Sequence, residues 1–540
     1  MRTMCAALLA LGLGVAVLGC KKRAEPAPDA PGADPKPPGP TASGKSIITI
    51  GKTTTFVTGP KDADGRIDYA AALNERMSKS VTAENNANVA LWKVLGPNPA
   101  SGKVPPGFFK MMGTTEPPAT GDYFVGLRQH AQQQPAGGTP EAAFDAMKRY
   151  SDRPWAVNDS PTLAAWLQAN QKPLAAVIEA TKRPQYYNPL IPEQTAKGSK
   201  GLMSVLLPGV QADREIASAL ACRAMLSVGQ NQPAAAWQDL LACHRLARLV
   251  GRGGTLIEGL VGMAIEQIAC RADIAFLDRV KPDAKSIEQC LRDLRALPAL
   301  PGVAEKIDGL ERFMLLETIM LLDKYGVALI SELRILFRSN LADGADGGAP
   351  AFGDDVLAGI DWNPALEAAN KMYDRLVAAV REKNRAKRNL ALTEIENDLN
   401  KMRSSLMGGA AALTLKNPAL PPATRGADVG TVLVTLLAPA VRKVQDASDR
   451  ATQTHENVIT AFACSWYQRF NGKYPDKLQD LVPTYLSAVP TDLFSDKPLL
   501  YLGGVNGCSF HSVGPNGIDE SGDSTPPRDD IGITLPLRRK

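Results

Sequence analysis

Residues 210–296 constrain this chain most. Three apolar patterns at helical spacing follow one another there, each closed by a helix breaker. Ile216, Leu220, Cys222, Met225 and Leu226 lie on the first, which Gly229-Gln230-Asn231 ends. Trp237, Leu240, Leu241, Cys243 and Leu246 lie on the second, which runs out near Gly251. Leu256, Leu260, Met263, Ile265, Ile268 and Ala275 lie on the third. Apolar side chains three and four positions apart share one face of a helix. The block therefore predicts consecutive antiparallel helices, with small-residue seams at Ala217, Ala221, Ala234 and Ala242.

Such hairpins resemble tetratricopeptide-type repeats only loosely. No clean 34-residue period is present, and a plain helical bundle is the expected alternative. The rest of residues 46–438 reads in the same way, as a mainly helical body. A short β element opens it: Ser46–Ile50 and Thr53–Val57 are β-branched runs around Gly51-Lys52, the pattern of a hairpin. Helix starts follow at Thr82, at Thr139-Pro140-Glu141 and at Ser160-Pro161, where a side-chain oxygen can cap the first turn. Residues 303–337 carry a long amphipathic pattern whose Glu311, Arg312, Glu317 and Asp323 interrupt it too often for a membrane span. Asn340–Asp361 is a Gly/Asp-rich loop, and Pro364–Ser405 is helical. Its cluster Arg381, Glu382, Lys383, Arg385, Lys387 and Arg388 reads as a solvated helix face.

Composition narrows the function classes. The 540 residues carry a net charge of +5 and are 44% hydrophobic, which is ordinary globular usage and excludes wholesale disorder. The basic excess is spread out, so nothing favours nucleic acid as a partner. Gly39-Pro40-Thr41-Ala42-Ser43-Gly44-Lys45-Ser46 spells a P-loop. It lies between a proline-rich stretch and a strand-like run, however, and not between a strand and a helix, so no nucleotide site is expected. His455-Glu456 opens an HExxH-like helix, but Ile459 stands where the second zinc ligand belongs. Gly251-Arg252-Gly253-Gly254 follows a helix and reads as a helix–helix turn. Four histidines (His130, His244, His455, His511) lie far apart, leaving little material for a His-rich metal site. No catalytic residues are expected.

The N-terminus gives an address. Arg2 precedes an apolar run from Ala6 to Gly19, too short for a membrane span of about 20 residues, and Cys20 follows. Val17-Leu18-Gly19-Cys20 resembles the lipobox of bacterial lipoproteins. That resemblance implies a signal peptide over 1–19 and acylation (palmitate) of Cys20, anchoring the protein to a membrane. Lys21 is not the Asp associated with inner-membrane retention, so the resemblance points to the outer membrane. Residues 20–45 form a Pro-rich tether with seven prolines between Pro26 and Pro40. At about 3.1 Å per residue, Lys21–Gly44 reaches roughly 70 Å.

The C-terminal hundred residues carry a second resemblance. A helical pattern over 441–471, with apolar Val444, Val458, Phe462, Trp466 and Phe470, ends at Asn471-Gly472 and is followed by Lys473-Tyr474-Pro475, Leu481-Val482-Pro483, Tyr485-Leu486, Val489-Pro490, Asp492, Phe494 and Tyr501. Ser512-Val513-Gly514-Pro515-Asn516-Gly517 and Asp529-Asp530-Ile531-Gly532 close it. This order resembles the soluble domain of the type II secretion major pseudopilin. The resemblance implies an α+β module over 439–540. It departs from the family at Leu493, in lacking the polymerising N-terminal half-helix, and at Asn516, where the family has an acidic calcium ligand. It implies calcium on Asn516, Asp519, Asp523 and Asp530; without the family, the same residues are an acidic solvated loop.

Six cysteines remain once Cys5 is cleaved off and Cys20 is acylated. Cys222, Cys243, Cys270 and Cys290, 21, 27 and 20 positions apart, fit either disulfides between helices or buried thiols. In the pseudopilin plan Cys464 and Cys508 face one another across helix and sheet, as a disulfide or as two thiols.

The expected protein is lipid-anchored in the bacterial cell envelope, a structural or interaction module with a pseudopilin-like head and unidentified envelope partners. An exported enzyme with a carboxylate-based site in the helical body is the alternative. A concave pocket gathering carboxylates or a histidine would favour the enzyme, and an exposed apolar patch the interaction module.

Overall fold

The structure is a computed structural model, and it describes residues 48–99, 102–133, 139–195, 198–326, 357, 359–407, 417 and 419–537. Cys20, the tether and the P-loop-like stretch up to Ser46 lie outside the described residues. The described chain is mainly helical, with a small antiparallel sheet near the C-terminus. It divides into two compact units. One takes its residues from 1–67, 315–374 and 395–438, the other from 68–314, 375–394 and 439–540. Residues 439–540 share a unit with 68–314.

The larger unit is built on the three helices that the apolar patterns predict, α1 (Val210–Gly229), α2 (Pro233–Gly251) and α3 (Leu256–Val280), followed by α4 (Ala284–Arg295). The start of α3 is closed by a reciprocal cap, in which Glu258 N–H donates to Thr255 Oγ1 (3.0 Å) and Thr255 N–H to Glu258 Oε2 (3.0 Å). Small residues let these helices approach closely. Ala217, Ala221, Ala242, Ala247 and Ala269 are fully buried. A Cβ added at Gly262 would sit 2.6 Å from the Ala247 carbonyl oxygen, so any larger residue there would force α2 and α3 apart.

Helix α5 (Val441–Asn471) packs on α3 and α4. It ends where Gly472 turns to φ 74° and donates its N–H to Gln468 O (3.0 Å), a left-handed cap that favours glycine. The sheet follows: β1 (Leu500–Gly503), β2 (Cys508–Ser512) and β3 (Ile531–Leu535), antiparallel with β2 in the middle. Alternation puts Cys508, Phe510 and Ser512 of β2 on its buried face. Asn457 of α5 donates to Ile531 O (2.8 Å), fixing the sheet to the helix.

In the smaller unit, Gly430 lies so close to Ala365 that a Cβ would meet its Cα at 2.6 Å. Asn370 Nδ2 donates to the Thr53 and Thr54 carbonyls (3.0 and 2.6 Å), which holds the N-terminal segment down.

The structure corrects four local expectations. Residues 48–57 form a turn and no hairpin, because the Gly51 carbonyl accepts from Thr54 and Phe56 N–H (3.3 and 2.9 Å) in place of a cross-strand partner. Thr82 closes a turn with Asn85, and the helix starts a turn later at Ala87 with Asn86 as its cap. Phe470 does not join the apolar face of α5 and is 67% exposed. The 381–388 cluster is not uniformly solvated. Arg388 is buried on Asp449, and the Arg385 guanidinium lies 4.5 Å from the centre of the Phe494 ring.

Candidate functional site

Helices α2, α3 and α5 bring six side chains together inside the larger unit. His244 and Arg248 stand one turn apart on α2. Glu266, Cys270 and Asp273, at spacings of four and three, form one stripe of α3. His455 comes from α5. His244 Nδ1 lies 3.0 Å from Glu266 Oε1, and its Nε2 lies 2.7 Å from Asp273 Oδ2. Arg248 Nη1 donates to Glu266 Oε2 (2.7 Å), and Arg248 Nη2 lies 3.5 Å from His455 Nε2. Cys270 Sγ is 3.8 Å from Glu266 Oε1.

Solvent does not reach the centre of this cluster: His244, Glu266 and Asp273 are 0% exposed. Burial alone would lower the His244 pKa, but the charges of Glu266 and Asp273 and their hydrogen bonds outweigh it and raise it to about 9. Burial would likewise raise Glu266. His244, then His455 and Arg248, instead hold it well below the usual carboxylate range. The charges of Arg248 and of a protonated His244 face the carboxylates of Glu266 and Asp273. One contact does not fit a simple network. His455 Nδ1 lies 2.8 Å from Glu266 Oε1 yet off the axis of a hydrogen bond, so the buried nitrogen has no hydrogen-bond partner.

A cavity of about 630 Å³ adjoins the cluster. Arg248, His455, Glu456, Thr452 and Thr460 contribute polar groups to its wall, and the 486–491 loop closes one side.

The residues named from the pseudopilin pattern come together only in part. Asp519 Oδ1 lies 2.9 Å and Asp530 Oδ2 3.7 Å from His511 Nε2. Asp530 is fully buried. Its Oδ2 accepts from the Glu520 and Gly522 N–H groups (2.9 and 2.7 Å), and its Oδ1 has no partner. Asn516 and Asp523 are turned elsewhere. Asn516 Nδ2 donates to Glu520 Oε1 (3.1 Å), and Asp523 pairs with Arg528. The Asp519 carboxyl is held below its usual range, chiefly by His511, and that of Asp523 falls to about 2, chiefly through the Thr525 N–H. Asp492, read only as part of the motif, is a buried hub. It accepts from Ser512 Oγ (2.6 Å), Ser495 Oγ (2.7 Å) and the Phe494 N–H (2.9 Å).

Cys464 and Cys508 are both buried, free thiols. Burial, then Cys508, pushes the Cys464 thiol well above its ordinary range. Cys222, Cys243, Cys270 and Cys290 are also buried thiols. Cys222 and Cys243 donate to the Met147 and Ala217 carbonyls (3.4 and 3.5 Å).

Separation along the chain hides the His244 cluster, since His244 and His455 come from helices far apart in sequence. The signal available was Glu266, Cys270 and Asp273 recurring on one stripe of an otherwise apolar helix, together with His244 inside the apolar run Leu240–Leu249. No protein-family model matches this chain, and no curated protein and no solved structure matches it. Among the described residues no helix is long and apolar enough to cross a membrane.

Proposed function

We propose that this protein is a lipid-anchored component of the bacterial cell envelope that works as a structural or protein-interaction module. Cys20 carries the acyl chains, residues 20–45 hold the body clear of the bilayer, and residues 439–540 serve as a pseudopilin-like head. The observation that carries this reading is Val17-Leu18-Gly19-Cys20 at the end of a signal-type apolar run. The geometry of the head supports it. Strand β1 is an edge of the sheet, and Leu500, Leu502 and the following Val505 expose 41%, 75% and 73% of their surface. An uncovered apolar edge is a place where another chain can pair.

Fatty-acid labelling of cells expressing the protein, followed by membrane fractionation, tests the anchor. Label is expected in the outer-membrane fraction and is lost in Cys20→Ser; label retained in that variant refutes the reading. A photo-crosslinker at position 502 should trap an envelope protein, and trapping none removes the interaction role.

A second reading is favoured by one observation. The cavity beside Arg248, His455 and Glu456 has the concavity and the ionisable groups that an exported enzyme needs. Turnover of an envelope-derived substrate that is lost in Glu456→Gln, with position-502 crosslinking intact, would establish it over the first.

A further inference from the structure

We infer that His244, Glu266, Cys270 and His455 form a tetrahedral site for a zinc-class divalent transition metal, which ties α5 to α2 and α3. Each residue offers one ligand atom, and all four atoms lie within 4.8 Å of one another. Bonds of about 2.0–2.1 Å to nitrogen or oxygen and about 2.3 Å to sulfur give a zinc tetrahedron edges of about 3.3–3.6 Å. The three edges at Glu266 Oε1, to His244 Nδ1 (3.0 Å), His455 Nδ1 (2.8 Å) and Cys270 Sγ (3.8 Å), bracket that range. The longest separation exceeds it by no more than about 1.2 Å, an inward shift that rotamer adjustment supplies.

A second observation points to a ligand. The site is buried, yet His455 Nδ1 is aimed at Glu266 Oε1 without making a hydrogen bond to it. A hydrogen-bonded network would put a proton on the line between those atoms. Two ligands converging on a shared ion approach each other off that line.

The surroundings match what metal ligands require of their neighbours. His244 binds through Nδ1, and its other nitrogen faces Asp273 Oδ2 at 2.7 Å, the carboxylate–histidine pairing that fixes the ring and raises its basicity. Arg248 holds the second oxygen of Glu266 at 2.7 Å, leaving Oε1 for the ion. When His455 ligates through Nδ1, its Nε2 carries the ring proton. Arg248 Nη2, 3.5 Å away, cannot accept a hydrogen bond from it, so that N–H keeps its proton and turns to the adjoining cavity, which is also the route of entry.

Metal ligands bind in their deprotonated forms, so the ion displaces the proton of the Cys270 thiol and any proton on His244 Nδ1. Two imidazoles, one carboxylate and one thiolate suit zinc over calcium or magnesium, which prefer oxygen. Four protein ligands close the coordination sphere, so the ion is structural.

The test uses the full-length protein, detergent-solubilised, reduced and purified without chelator. Elemental analysis should give a zinc equivalent that the wild type retains and Cys270→Ser loses in part. After stripping, Co²⁺ should develop the visible bands of tetrahedral coordination with a near-ultraviolet thiolate charge-transfer band. Cys270→Ser should abolish the charge-transfer band, and Asp273→Asn should weaken Co²⁺ binding about 10–100-fold. His511→Ala, at the separate carboxylate cluster, should leave the charge-transfer band intact. The wild-type spectrum does not depend on any variant folding. Absence of the charge-transfer band from the wild type, or its survival in Cys270→Ser, overturns the proposal.

Discussion

Arg248 Nη1 lies 2.7 Å from Glu266 Oε2, and both side chains are almost wholly buried (4% and 0% exposed). The pair joins α2 to α3 within the His244 cluster. Removing one member leaves the other as an uncompensated charge in a low-dielectric interior, which costs more than the pair itself contributes. Arg248→Met is therefore expected to destabilise the larger unit by about 3–5 kcal/mol. Urea unfolding followed by circular dichroism measures this, and a loss below about 1 kcal/mol would show that Arg248 is not holding the charge balance.

Cys464 and Cys508 offer a direct redox prediction. Both are buried thiols, Cys508 helps raise the Cys464 thiol, and an oxidising compartment favours a bridge. Protein taken from the envelope under non-reducing conditions should give a Cys464–Cys508 linked peptide. Reduction should lower its stability by roughly 2–4 kcal/mol. If both thiols alkylate without reductant once the protein is unfolded, they remain thiols in the envelope.

Glu311 gives a pH prediction. It lies in a single π-type turn, and burial pushes its carboxyl up to about 7. A raised folded-state pKa means that the favourable contribution is complete below the unfolded value near 4.5 and is lost as pH rises through about 7. Glu311→Gln should thus be nearly neutral at pH 4 and stabilising at pH 8. The gain stays under roughly 3 kcal/mol, since the side chain is partly solvent-exposed. Equal melting-temperature changes at both pH values would contradict this assignment.

For the C-terminal loop, the pseudopilin reading predicts a calcium response through Asp519 and Asp530. Calcium at about a hundred times its dissociation constant should add about 2.7 kcal/mol of stability. Asp530→Asn should remove that increment, whereas Asp523→Asn, whose parent side chain already pairs with Arg528, should reduce it less. No calcium-dependent change in the wild type would reduce the loop to a hydrogen-bonded acidic turn.

Periodicity and caps foretold much of the fold. The helices 210–229, 233–251 and 256–280 and the left-handed stop at Gly472 follow from patterns repeating within a turn or two of chain. Expectations failed where a tertiary partner outbid local preference. Thr53–Val57 has strand propensity but lies against Asn370 with no neighbouring strand. Arg385 and Arg388 sit in a charged run, but acidic side chains of α5 draw them inward.

For α1, α2 and α3 the sequence by itself determined which residues turn into helix, where each helix stops, and which face is apolar, because these are properties of neighbours along the backbone. It also placed Glu266, Cys270 and Asp273 on one stripe. Only the tertiary structure decided that His244 and His455 meet that stripe. Their meeting depends on how closely α2, α3 and α5 approach and at what rotation. Small residues such as Ala247 and Gly262 set that approach through contacts between segments distant in the chain. No local spacing rule records such contacts.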